Sequence, residues 1–166
     1  LWAGIANGRM DAVATDHCPF TWDQKEAGRG DFRKIPNGLA VVEHRVDLLF
    51  QGVVEGWIPL TRWVEVLSET PAKISGLFPR KGAIAPGSDA DIVIYDPATS
   101  QTLSAETHHM AVDFSVFEGA EISGRVETVL LRGEVIVDDG EFIGAPGRGQ
   151  YLGRGTNAML PEPTGT

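Results

Sequence analysis

The spacing of apolar residues changes once along this chain, and that change limits the folds it can adopt. In the first half, apolar residues recur every three or four positions within residues 41–50 and 60–67, which predicts amphipathic helices. Residues 70–77 indicate a further short helix, with Thr70 as its cap and Pro71 at the first helical position. The first half is therefore predicted to be helices joined by turns.

The second half has the period of two that is typical of β-strands. Residues 91–96 are rich in β-branched side chains, and we expect Pro97 to stop this strand. Arg132 and Gly133 separate two further strand-like runs and predict a tight hairpin between residues 126–131 and 134–138. One antiparallel-rich sheet packed on a core should include Ile92, Val93, Ile94, Val129, Leu131, Val135 and Val137.

Charge and composition argue against several classes of protein. The 166 residues carry a formal charge of −9, with 14 basic residues scattered among 23 acidic ones, whereas nucleic-acid binding requires clustered Lys and Arg. No apolar run approaches the ~20 residues of a membrane helix. The single cysteine, Cys18, excludes an internal disulfide framework and favours a reducing cytoplasm. Because Leu1 is not an initiator Met and opens a helix-like stretch, we expect a piece of a longer protein.

The densest group of reactive side chains lies in residues 14–20, ATDHCPF. A short apolar run at residues 11–16 precedes it and predicts a buried strand that ends on Asp16. The carboxyl ends of barrel strands are where such folds place catalytic groups. A plain turn, in which Asp16 caps its own backbone, explains the same residues, and spacing alone favours that turn. Asp16 and His17 would point to opposite sides of a strand and should not share one metal.

A second group is the turn signal in residues 34–38, KIPNG. Asn tolerates and Gly readily adopts a positive φ, so Asn37 and Gly38 predict a tight turn. The local sequence favours a simple loop, although such a turn can also present bare backbone groups to a ligand. His108 and His109 lack the usual spacing of metal ligands, and we expect no metal site there.

Six segments, in order along nearly the whole chain, resemble the dihydropyrimidinase/D-hydantoinase family of the amidohydrolase superfamily. The combination of VATDHCPF with KIPNG is strongly specific for this branch, whereas GSDAD occurs across many amidohydrolases. The segments are residues 13–20, 34–38, 76–82, 87–91, 104–109 and 132–135.

The resemblance implies an α/β plus β fold: the C-terminal part of a (β/α)8 metal-dependent hydrolase barrel, followed by strands of a small composite β-sandwich domain. Residues 1–80 would supply the end of the barrel. Residues 81–145 would supply sandwich strands and a loop that packs back on the barrel, and residues 146–166 would form a C-terminal tail.

The same resemblance implies a chemistry. The family opens cyclic amides to N-carbamoyl amino acids with two divalent metal ions, usually zinc, that activate water. Asp16 matches the catalytic aspartate that binds one metal and carries a proton. Asn37 matches a position whose backbone contacts the substrate ring, and Cys18 would lie near the ring substituent. The family's other ligands are a His-x-His pair, a carboxylated lysine and two further histidines from upstream strands, so this piece alone should be inactive.

Other functions stay open at this point. Collapsin response mediator proteins are non-catalytic scaffolds on the same fold, but they typically lose the aspartate that Asp16 matches. Allantoinases and dihydroorotases usually differ after the Asp-His pair, and a self-standing β-rich interaction module is a third alternative. For partners, the resemblance implies a small cyclic amide and further copies of the chain in dimers or tetramers, with no nucleic acid and no membrane.

Overall fold

The computed structural model describes residues 1–157 and residue 159. Short helices occupy most of the first half, as the apolar period predicts. They are α1 (Trp2–Ala6), α2 (Trp22–Glu26), a 3-10 turn (Phe32–Lys34), α3 (Arg45–Val54), α4 (Leu60–Val64), a π-helical turn (Glu65–Glu69) and α5 (Thr70–Ile74). None of the described helices is long and apolar enough to cross a membrane.

The prediction that Thr70 caps a separate helix is wrong. Thr70 is buried and has helical backbone angles (φ −66°, ψ −43°), so the chain stays helical from Leu60 to Ile74. Pro71 lacks an N–H, and within an α-helix its ring would clash with the carbonyl of Leu67. The π-helical turn directly before Thr70 widens the helix at this point, which is how the proline is accommodated.

Helix α3 begins later than the apolar period predicts. Residues 42–44 form a turn, and the helix starts at Arg45. The backbone N–H groups of Val41 and Val42 donate to Nδ1 of His17, at 3.1 and 3.3 Å, instead of entering a helical pattern. A side chain 24 residues away in sequence thus sets where α3 begins, and local spacing does not contain that information.

The second half forms one four-stranded antiparallel sheet in the order β1-β2-β3-β4, which confirms the predicted sheet. Arg132 (φ 49°) and Gly133 (φ 83°) make the tight turn between β2 and β3, as predicted. Asp139 (φ 49°) and Gly140 (φ 82°) repeat that conformation before β4. The strands are β1 (Ile92–Thr102), β2 (Glu121–Leu131), β3 (Glu134–Asp138) and β4 (Glu141–Phe142).

Pro97 does not stop β1, contrary to the prediction. The strand continues to Thr102, and the pairing with β2 is irregular between Asp96 and Ser100. Within this bulge the Asp96 carboxylate accepts hydrogen bonds from the Ala98 N–H at 2.9 Å and from the Thr99 hydroxyl. A bulge is one of the few places in a sheet where a missing N–H costs no ladder hydrogen bond.

The core lies in the helical half. Its buried cluster consists of Ile5, Leu49, Phe50, Ile58, Trp63 and Val66. Tyr95 connects β1 to this cluster, since its ring centroid lies 4.8 Å from that of Phe50 and 5.0 Å from that of Trp63. Most of the sheet is only half-buried, and Val93 is 53% exposed. The predicted residues therefore share one sheet, but the described residues give that sheet little apolar cover.

Hydrogen bonds also join the two halves of the chain. The Gln51 amide on α3 donates to the carbonyl of Ser123 at 2.9 Å and accepts from its N–H at 3.0 Å. Further along, the N–H of Gly155 donates to the carbonyl of Gly76 at 2.8 Å. The rest of the predicted tail, residue 158 and residues 160–166, lies outside the described residues.

Candidate functional site

The segment before Asp16 is not the buried strand that the sequence predicts. Residues 11–16 contain no strand, and the only pairing nearby is one parallel bridge between His17 and Leu39. A strand exists only where a neighbour takes up its N–H and C=O groups. Among the described residues no strand lies alongside residues 11–16, so the expectation that Asp16 ends a buried strand is wrong for this chain.

Asp16 has an uncommon backbone conformation and an exposed side chain. Its φ is 47°, in the left-handed region that few residues other than glycine adopt. In the described part of the chain its carboxylate makes no hydrogen bond or ion pair, so both oxygens are available to a ligand. A cavity of about 590 Å³ lies nearby, and His17 lines it whereas Asp16 does not.

The imidazole of His17 has a structural role. Its Nδ1 atom accepts from the N–H groups of Val41 and Val42, which leaves the proton of the neutral ring on Nε2. A nitrogen that accepts two backbone N–H groups has no lone pair left for a metal. His17 thereby fastens the segment after Asp16 to the start of α3.

The two sequence motifs meet at Cys18 and Gly38. The N–H of Cys18 donates to the carbonyl of Leu39 at 3.0 Å. A β-carbon built on Gly38 would lie 2.4 Å from Cβ and 2.7 Å from Sγ of Cys18, and Gly38 has a φ of 93°. Only glycine fits at this contact, so the half-buried Cys18 and the turn at residues 34–38 are packed directly against each other.

Asn37 is exposed at the tip of that turn. Neither its N–H nor its carbonyl bonds to another group among the residues that the structure describes. A free donor and a free acceptor on the same residue can bind a ligand that carries both an N–H and a C=O. This is the arrangement that the sequence left open as an alternative to a simple loop.

Lys25 is a further residue of the site, and sequence reasoning missed it. Its Nζ donates to the carbonyls of Pro36 and Gly38, both at 2.5 Å. The ammonium also lies 5.2 Å from the ring centroid of Phe20. The available signal was a capping box, since Thr21 is followed by Gln24, whose Oε1 accepts from the Thr21 N–H at 2.8 Å and fixes the start of α2.

Of the other three histidines, one contacts a carboxylate and two lie against each other. His109 donates its N–H to Oε2 of Glu43 at 2.7 Å, and its Nδ1 lies 2.8 Å from Oε1. His44 is buried against His108, with ring centroids 6.0 Å apart, and burial lowers the pKa of His44. No group of three metal-binding side chains forms within residues 1–157 and 159.

Asp47 lines the same cavity and is the most strongly perturbed carboxyl there. Burial raises its pKa to about 6, against the lowering effects of the Tyr95 hydroxyl and the Gln101 amide. Gln101 Nε2 lies 3.4 Å from Oδ2, while Oδ1 reaches no partner in the described part of the chain. Sequence reasoning missed this residue because Asp47 falls on a helix whose acidic positions look solvent-facing.

Asp16 fits a metal as one ligand, and the described residues do not complete a set. An exposed carboxylate with two unengaged oxygens is a suitable donor for a divalent cation. His17 offers it no second ligand through Nδ1, and Cys18 is packed against Gly38. Three or four protein ligands are usual for zinc, so the remainder would have to come from elsewhere in a longer protein.

The chain belongs to the amidohydrolase family, whose sequence pattern it matches over residues 1–136. Within that family it is similar to D-hydantoinases. It is 57% identical over 161 residues to the D-hydantoinase of Streptomyces coelicolor and 51% identical over 162 residues to that of Geobacillus stearothermophilus. Both alignments cover 96% of this chain.

Solved structures show the same likeness. The crystal structure of dihydropyrimidinase from Brevibacillus agri NCHU1002 superposes with a TM-score of 0.92 at 47% identity, covering 96% of this chain and 35% of that one. The chain spans about a third (34%) of the length of the two curated D-hydantoinases. The predicted resemblance to the dihydropyrimidinase/D-hydantoinase branch is confirmed.

Proposed function

We propose that this chain is the C-terminal part of a hydrolase that opens the ring of cyclic amides, dihydropyrimidines or hydantoins, to give N-carbamoyl amino acids. The observation that carries the proposal is the juxtaposition of two features. The unengaged carboxylate of Asp16 lies two residues before Cys18, and Cys18 packs against the turn that exposes the free peptide groups of Asn37. A proton carrier and a site for an amide ring are thus neighbours.

The fold of the whole enzyme is part of this proposal. Residues 1–80 would complete a (β/α)8 barrel whose other strands come from elsewhere in a longer protein. The half-exposed sheet formed by β1 to β4 would join further strands in a composite β-sandwich within residues 81–145. The exposed apolar residues of this sheet support that assignment, since an apolar sheet face requires cover.

Asp16 would have two roles. As an ionised carboxylate it would bind one of two divalent metal ions, for which we retain the prediction of zinc. When bound, such ions supply a nucleophile from water at neutral pH and polarise the ring carbonyl. The Asp16 oxygen would then hold the proton released by the attacking water and pass it to the departing ring nitrogen, because a carboxylate can accept and return a proton within hydrogen-bond reach.

Asn37 and Cys18 would hold the substrate. A cyclic amide presents an N–H and a C=O on the same ring, and the free C=O and N–H of Asn37 complement that pair. Hydrogen bonds of this kind orient the ring so that its carbonyl carbon faces the nucleophile. The Cys18 thiol, half-buried beside Gly38, would lie near the substituent that the ring carries.

A ring-opening assay on the full-length protein tests the proposal. We expect Asp16→Asn to fold normally and to lose at least ~10³ in kcat on dihydrouracil or hydantoin, because one ligand and the proton carrier disappear together. Asp23→Asn, an exposed carboxyl on α2, is the matched control and should keep wild-type activity. Asp16→Asn activity within tenfold of wild type would refute the assignment, and a wild-type protein inactive on all cyclic amides would favour a scaffold.

Location and assembly complete the proposal. A cytoplasmic enzyme is still our prediction, based on the single cysteine.

We also propose that the protein forms homo-oligomers through its exposed apolar surface. Phe142 and Ile143, at the end of the sheet, belong to this surface and are 59% and 60% exposed.

A further inference from the structure

Lys25 binds the peptide groups on both sides of Asn37. Its ammonium donates to the carbonyl of Pro36 and to the carbonyl of Gly38, each at 2.5 Å. Hydrogen bonds from a charged donor are shorter and roughly twice as strong as those between neutral groups. Two such bonds from one nitrogen fix the turn on both sides of Asn37.

These bonds leave some backbone groups of the turn occupied and others free. Those of residues 36 and 38 are occupied by Lys25, and the carbonyl of Leu39 accepts from Cys18. Asn37 alone keeps both its C=O and its N–H unbonded in the described part of the turn. Lys25 thereby determines which residue of the turn has both backbone groups free to meet a ligand.

Lys25 is itself held by its helix and by one ring contact. It lies in α2, whose start is fixed by the bond from the Thr21 N–H to Gln24 at 2.8 Å. Its ammonium rests over the ring of Phe20, 5.2 Å from the centroid. The side chain is half-buried, so the surrounding residues restrict its position.

We propose that Lys25 is a positioning residue for substrate recognition, which acts through Asn37 by directing the Asn37 N–H and C=O toward the ring amide. The inference rests on the proposed function, since it takes Asn37 as the group that contacts the ring. Lys25 touches no reacting atom. Its effect should therefore appear as lost discrimination between ring structures, with metal content unchanged.

The test uses the full-length protein and three substrates: hydantoin, 1-methylhydantoin and 3-methylhydantoin. Each methyl group removes one ring N–H, so only the isomer methylated at the N–H that meets the Asn37 carbonyl loses the proposed hydrogen bond. In Lys25→Met, which keeps most of the length of the side chain and removes the donor, kcat/KM on hydantoin should fall by roughly 10-fold to 100-fold, chiefly through KM. The preference of wild type for hydantoin over at least one methylated isomer should shrink by about tenfold.

Arg29→Met is the matched control, because it removes a positive charge from the same segment at a side chain that is 78% exposed. It should leave the preference unchanged. If Lys25→Met does not fold, Lys25→Gln is read in the same way, since its shorter amide is not able to bond both carbonyls.

The outcomes separate the two proposals. Turnover by wild type, with an equal loss on all three substrates in the Lys25 variant, would mean that Lys25 only supports the fold. A wild type that turns over hydantoin without any preference against methylation would also overturn the role of Lys25, while leaving the hydrolase intact. No wild-type turnover on any cyclic amide, with metal bound, would overturn the proposed function itself.

Discussion

Cys18 and Gly38 lie so close that Gly38 has no room for a side chain. A β-carbon there would stand 2.4 Å from Cβ and 2.7 Å from Sγ of Cys18, and the φ of 93° already disfavours any other residue. This contact joins the segment that carries Asp16 to the turn that carries Asn37. Its geometry should therefore control both stability and substrate binding.

Gly38→Ala should lower the free energy of unfolding and raise KM in the full-length protein. Alanine at a positive φ costs about 1–2 kcal/mol, and overpacking against Cys18 should add roughly 1–3 kcal/mol. Gly30→Ala is the control, because Gly30 has a φ of 86° and a β-carbon on it would meet nothing within 4 Å. Denaturant unfolding and steady-state kinetics on both variants give the comparison, and equal effects would show that the Cys18 contact contributes nothing.

The features that the sequence predicted correctly are those that depend on residues adjacent in the chain. The hairpin at Arg132 and Gly133 follows from two consecutive residues that adopt positive φ, and the period of two located the strands on both sides. Asp16 and Asn37 were singled out through family motifs, and their roles are still predictions. The structure adds that their segments touch through Cys18 and Gly38.

The errors have causes that spacing does not record. Pro97 stays within β1 because a bulge stabilised by Asp96 removes the need for its N–H, and Thr70 stays within a helix because a π-helical turn absorbs Pro71. Lys25 escaped notice because its role depends on carbonyls 11 and 13 residues away. Each of these outcomes depends on the three-dimensional surroundings of the residue.

The stability of the protein should depend on pH through Asp47. Burial raises the pKa of this carboxyl from 3.8 to about 6, so the folded state binds its proton more tightly than the unfolded state does. The contribution of this group to stability is full below pH 3.8 and is lost as the pH rises through about 6, a change of about 3 kcal/mol. Above that pH, the folded protein carries a charged carboxylate in a poorly solvated place.

Asp47→Asn should therefore raise the melting temperature at pH 8 and leave it nearly unchanged at pH 4. Asp138→Asn, at an exposed position in β3, should change neither value appreciably. Thermal unfolding of the three proteins across this pH range provides the measurement. A variant that is less stable than wild type at pH 8 would mean that ionised Asp47 makes a favourable contact that outweighs its burial.

The chain of residues 1–166 should self-associate in solution. Phe142 and Ile143 are 59% and 60% exposed, and β4 pairs with only β3 among the described strands, so apolar surface and an open strand edge coincide. Sedimentation at tens of micromolar should show dimers or larger species. Replacing both residues with Lys should shift the distribution toward monomer, whereas a strictly monomeric wild type would contradict the prediction.

The same chain, taken alone, should neither hydrolyse dihydrouracil or hydantoin nor hold zinc tightly. Asp16 offers one carboxylate, Nδ1 of His17 is occupied by two backbone N–H groups, and no set of three ligands forms within the described residues. Without a bound metal, water is too weak an acid to supply a hydroxide nucleophile at neutral pH, and orientation by Asn37 does not replace one. The measurement is a ring-opening assay with added zinc or manganese, run beside elemental analysis after dialysis. Turnover above background, or one metal ion per chain surviving dialysis, would show that these residues contain a complete site.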